Sequence, residues 1–176
     1  MEPRAMSRKS VLKATGGAVM AATVLPAFGE MKMQDPDRWP EVPDFPQPHP
    51  ELGPKLVKKF VIAAHGNLEV VKEMLEAYPG LLNATWDWGN GDFERAIEGA
   101  GHMGNREIAE YLISRGARMN MFCAAMLGDL GYVKAALASH PHLKDSLGPH
   151  GIPLLAHAKA GKDQAKPVLD YLESLA

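Results

Sequence analysis

The chain has 176 residues, 46% hydrophobic and 23% charged, a globular composition and not a disordered one. Its 19 Lys and Arg against 21 Asp and Glu give a formal net charge of −2. That balance excludes a general nucleic-acid binder, which needs a basic face to displace phosphate counterions. The single cysteine, Cys123, excludes an intramolecular disulfide and any multi-cysteine zinc site.

Residues 1–29 read as an export signal. Arg4, Arg8, Lys9 and Lys13 form a basic head, and the stretch from Ala14 to Gly29 carries no charge. Ala27 and Gly29 place small residues before a cut after Gly29. Ser7-Arg8-Lys9-Ser10-Val11-Leu12-Lys13 resembles the twin-arginine signal S-R-R-x-F-L-K, with Lys9 for the second arginine and Val11 for the phenylalanine. The resemblance implies export of a folded protein across a bacterial inner membrane, hence a periplasmic or exported protein. No uncharged stretch reaches the roughly 20 apolar residues of a membrane span, so no stable span is expected in the mature form.

Residues 30–54 form a connector containing Pro36, Pro40, Pro43, Pro46, Pro48, Pro50 and Pro54. That density of fixed φ angles predicts an extended spacer without regular helix.

From residue 55 to 176 the chain repeats itself. Four segments pair small residues with a glycine: Ala63-Ala64-His65-Gly66, Ala100-Gly101-His102-Met103-Gly104, Ala124-Ala125-Met126-Leu127-Gly128 and His157-Ala158-Lys159-Ala160-Gly161. After each glycine, apolar residues recur at helical spacing: Leu68, Val71, Leu75; Ile108, Leu112; Leu130, Val133, Leu137; Val168, Leu169, Leu172. A short alanine-rich helix, a glycine terminator and a second, amphipathic helix are predicted in each unit. No unit alone buries its apolar face, so stacking is required.

These segments, with Pro153-Leu154-Leu155-Ala156-His157-Ala158 and Gly116-Ala117-Arg118-Met119-Asn120, resemble the ankyrin-repeat family. The resemblance implies an all-α helix-turn-helix solenoid of about four irregular repeats, with a concave groove that binds a partner. The aligned glycines lie 38, 24 and 33 residues apart, against a family period of about 33. The long first spacing predicts an enlarged finger at Trp86–Phe93, and the short second one a bare loop around Met119–Met121. Pro167 fits only the first turn of a helix.

No catalytic signature is present: there is no G-x-S-x-G, no H-E-x-x-H and no phosphate-binding loop. Cys123 reads as a small buried hydrophobe, Asp129 and Asp163 as helix caps, and His157 as a core residue. The expected function is therefore a non-enzymatic module in the bacterial envelope that binds a protein partner, with no cofactor, no metal and no nucleic acid. Its surface would comprise Trp86, Trp88, Asp92, Glu94, His65, His102, Met103, Met126, Leu127 and His150. One of Trp86 and Trp88 is expected to pack inward and the other to be exposed. The alternative is a pocket of His65, His102, His150, Trp86 and Asp87 on the same face, holding a metal ion or an anionic small molecule.

Overall fold

The computed structural model describes residues 51–175. The export signal and nearly all of the connector lie outside the described residues. Within them the chain is mostly helical. Eight α-helices run in order: α1 Pro54–Ala63, α2 Leu68–Ala77, α3 Ala96–His102, α4 Arg106–Ser114, α5 Met121–Leu127, α6 Leu130–Ser139, α7 Leu154–Ala160 and α8 Lys166–Glu173. One antiparallel hairpin, β1 Thr85–Asp87 and β2 Phe93–Arg95, lies between α2 and α3. No described helix is long and apolar enough to cross a membrane.

Local chemistry sets the helix ends. Asn67, Asn120 and Asp129 cap α2, α5 and α6, each side-chain oxygen accepting a backbone N–H three residues on, at 3.1, 3.0 and 2.9 Å. Asp163 departs from expectation: it lies inside a 3-10 turn, Lys162–Ala165, and caps nothing. Pro54 also differs, since it opens α1 instead of closing the connector; a proline is tolerated there because the first-turn N–H has no partner in any case. Pro167 sits in the first turn of α8 as its ring requires. Gly128 ends α5 in the left-handed region at φ 77°, but Gly161 ends α7 with φ −74°. Gly161 is needed for proximity instead, because a Cβ there would overlap the Met126 carbonyl.

The helices associate in consecutive pairs, α1 with α2, α3 with α4, α5 with α6, and α7 with α8. The first members also pack on one another, α1 on α3, α3 on α5 and α5 on α7. Small side chains permit this close approach: Ala63, Ala64, Ala100, Ala124, Ala125 and Ala158 are all buried. The second helices supply the larger apolar groups, Val71, Leu75, Ile108, Leu112, Val133, Leu137 and Val168, each contributing about 1.5–3 kcal/mol of burial. Helix α5 joins two core clusters, giving Cys123 and Met126 to the one around α1–α4 and Ala124 and Ala125 to the one around α6–α8.

Between α2 and α3 the long spacing is filled by the hairpin. Between α4 and α5 only residues 115–120 intervene, with no hairpin. Before α7 a tight loop returns, closed by a bridge from Leu147 to Pro153.

Candidate metal centre

The hairpin's alternation builds one wall of the site. Trp86 lies directly opposite Glu94 in the register, and the Trp88 backbone N–H donates to the Asp92 carbonyl at 2.9 Å. Residues two apart in a strand share a face, so Trp86, Trp88, Asp92 and Glu94 stand together. This corrects the expectation that the two tryptophans diverge. Their rings meet edge to face, with centroids 6.5 Å apart. The turn is tight because Gly89, Asn90 and Gly91 all adopt positive φ, and the Asp87 carboxylate accepts the Gly89 N–H at 2.8 Å.

Glu94 is the centre. It is fully buried and charged, a combination that survives only with partners. Its Oε2 accepts the Trp88 indole N–H at 2.7 Å, and its Oε1 accepts the His102 Nε2–H at 2.8 Å. His65 Nε2 lies 3.5 Å from Oε1, and His150 Nε2 lies 3.5 Å from Oε2. Burial pushes the Glu94 carboxyl up, but the His102 and Trp88 hydrogen bonds and the histidines' positive potential prevail and hold it below the usual carboxylate range.

The histidines come from three places. His65 follows α1, and its Nδ1 donates to the Val61 carbonyl at 2.9 Å. His102 ends α3 and lies between the other two, ring centroids 4.9 Å from His65 and 5.4 Å from His150. His150 belongs to the loop before α7 and adopts φ 61°, ψ 17°, a conformation uncommon outside glycine. Asp92 holds it there: Oδ1 accepts the His150 backbone N–H and Oδ2 the ring Nδ1–H, both at 2.8 Å. The backbone bond, followed by the ring bond, draws the Asp92 carboxyl below its usual range.

Proton placement follows from these contacts. A backbone carbonyl only accepts, so His65 carries its proton on Nδ1. An ionised Asp92 also only accepts, so His150 does the same. In their neutral forms both histidines therefore present a bare Nε2 lone pair toward a buried carboxylate. Such a juxtaposition is relieved by a positive charge, either a proton on Nε2 or a cation held between the groups. Anchoring of Nδ1 by a carbonyl or carboxylate, with Nε2 left free, is also the usual outer-shell arrangement of metal-ligating histidines.

The donor atoms of His65, Glu94, His102 and His150 all lie within 4.8 Å of one another. Ligands of a tetrahedral ion with bonds of about 2.1 Å are about 3.4 Å apart. The widest pair in the set therefore has to close by roughly 1.4 Å, through turns of the side chains, for all four to bind one ion. Gly99 of α3 makes room for the His65 ring, since a Cβ there would stand 2.8 Å from His65 Cε1.

Other residues expected on this face fall elsewhere. Met126 is fully buried, and Leu127 is half-buried against the core with its carbonyl accepting Arg106 at 2.8 Å. Met103 is exposed just past α3. Trp86 touches Trp88, yet its Nε1 is buried without a hydrogen-bond partner. Asp87 lies on the hairpin's outer side and is exposed. Cys123 is buried with its thiol pushed up to about 12 by burial, which leaves it inert. In comparisons with known proteins, this chain matches no family model, no curated protein and no solved structure.

Proposed function

We propose that this protein binds one divalent first-row transition-metal ion through Nε2 of His65, His102 and His150 and the carboxylate of Glu94. Imidazole nitrogen with a single carboxylate suits zinc, nickel, cobalt or iron, and does not suit magnesium or calcium. The observation that carries this reading is the convergence of His65 Nε2, His102 Nε2 and His150 Nε2 on the fully buried Glu94 carboxylate. The ankyrin-like resemblance and the stacked first helices support a solenoid of helix pairs as the scaffold, with the hairpin and the Leu147–Pro153 loop as its fingers. The signal-like residues 1–29 support action outside the cytoplasm. A plain protein-docking groove is favoured less, because the polar side chains of this face engage one another.

Metal analysis tests the reading. Full-length protein stripped with chelator and reloaded with zinc, cobalt or nickel is expected to retain one ion per chain. His102→Ala is expected to lose it, as is the milder His65→Gln, with helical circular dichroism retained. Failure of the wild-type chain to retain any of these ions at stoichiometry overturns the proposal.

A further inference from the structure

We propose that this metal centre receives a short organic dianion, one carboxylate entering the ion's solvent-side position and the other pairing with Lys58. The inference rests on the metal reading above. Glu94 forms the buried floor of the donor set, while the His65 and His150 side chains are 25% and 32% exposed. Solvent therefore reaches the set along the His65 and His150 rings, while Glu94 is closed off. Four protein donors leave one or two positions free on a five- or six-coordinate ion.

Lys58 supplies the second half. It lies on α1, seven residues before His65 in the turn that follows. Its ammonium stands 5.3 Å from the Trp86 ring centroid and 5.7 Å from that of Trp88. Among the described residues it forms no ion pair. Trp88 links it to the centre: its indole N–H binds Glu94, and its ring meets that of His150 at 5.7 Å. A divalent ion and this ammonium, both adjoining Trp88, are two positive charges that a short dicarboxylate would bridge. A single carboxylate reaches only one of the two charges.

Cobalt-loaded full-length protein gives the test, because its visible bands report ligand exchange at the ion. Titration with succinate is expected to shift those bands at about tenfold lower concentration than acetate, reflecting one added charge-assisted pair. Lys58→Met keeps an unbranched stem on the tryptophans and is expected to erase that preference. The anion-free cobalt bands of the variant show whether its metal centre is intact. Cobalt that binds but responds to neither anion overturns this inference and leaves the metal reading standing. A succinate preference that persists in Lys58→Met overturns the role of Lys58. Cobalt that never binds refutes the metal reading itself, before any anion is added.

Discussion

Glu94→Gln separates the two roles open to a buried carboxylate. As a hydrogen-bond hub, Glu94 accepts from Trp88 and His102; as a ligand, it supplies negative charge to an ion. Glutamine has the same shape and preserves the first role. Its carbonyl can face the Trp88 N–H while its amide donates to His102, which answers by moving its proton to Nδ1. The amide's second hydrogen then meets the bare His65 Nε2, where wild type sets a lone pair against a carboxylate. Two charge-assisted bonds of about 1.5–3 kcal/mol each become neutral bonds of about 0.5–1.5 kcal/mol, offset by removal of a buried charge and of the His65 repulsion. The metal-free variant should therefore stay within about 1 kcal/mol of wild type at pH 8. The second role is lost. Disturbing an outer-shell partner alone costs 10–100-fold in metal affinity, so removing an anionic ligand should cost at least about 100-fold. At a metal concentration 100 times the wild-type Kd, linkage stabilises wild type by about 2.7 kcal/mol and the variant by about 0.4 kcal/mol. In a domain of this size each kcal/mol moves Tm by roughly 4 °C. Thermal unfolding followed by circular dichroism, with zinc and with EDTA, should show a metal-induced rise of about 10 °C in wild type and about 2 °C in the variant. An equal rise in both would refute the reasoning.

Three further outcomes follow from the same geometry. Asp92→Asn should weaken metal binding 10–100-fold by freeing the His150 ring and backbone, with calorimetric titration as the check; an unchanged Kd would show that the loop holds itself. Gly99→Ala gains up to about 1 kcal/mol of helix propensity, which the forced shift of the His65 ring offsets in the metal-free chain, and it should lower metal affinity at least tenfold by moving that ring. Urea unfolding and metal titration on the same sample would show whether affinity falls while stability holds. His157→Leu addresses pH. Burial lowers the His157 pKa in the folded chain, so below about pH 6.5 the unfolded chain binds more protons. Stability is then fully present above that pH and falls as pH drops toward the folded value, by at most about 1.4 kcal/mol per unit. Chelated wild type should lose more stability between pH 7.5 and 5.5 than the variant; equal losses would mean that burial does not keep His157 neutral.

The helices were legible because periodicity and terminal glycines are local signals. Val71, Leu75, Ile108, Leu112, Val133 and Leu137 recur at helical spacing and are all buried. The hairpin, too, lies where the long glycine spacing left room for it. The centre was legible only in part. His65, His102 and His150 stand out as histidines beside glycines, but Glu94 reads only as a groove-lining contact for a partner, outside the histidine pocket, which takes Asp87 instead. The signal that would have found it was present: strand alternation through Trp86, Trp88, Asp92 and Glu94, with Glu94 opposite Trp86. Nothing local marks which carboxylate is buried, because that depends on α1, α3 and the loop before α7 closing over it. The same holds for Asp163, whose position after Gly161 resembles that of Asp129 after Gly128. At Gly161 the backbone stays right-handed and runs into a 3-10 turn, so no helix start is presented to Asp163.

The irregular glycine spacing bears on how His65, Glu94, His102 and His150 come together. Residues 115–120 make no hairpin, and His150 in the loop before α7 meets Asp92 of the β1–β2 turn across 58 residues of sequence. If the helix pairs stack in chain order, as the proposed solenoid requires, a hairpin between α4 and α5 would separate those two segments. The short connection then lets the fourth pair reach a site otherwise built by the first and second. Lengthening that connection tests this directly. A hairpin-length insertion after Arg118 lies on an exposed connection, where extra length costs little in loop entropy. It should leave the helical circular dichroism intact, yet push the His150 loop away from Asp92 and reduce metal affinity by as much as His150→Ala does. An insertion variant that folds and binds metal as tightly as wild type would show that the short spacing is incidental to the site.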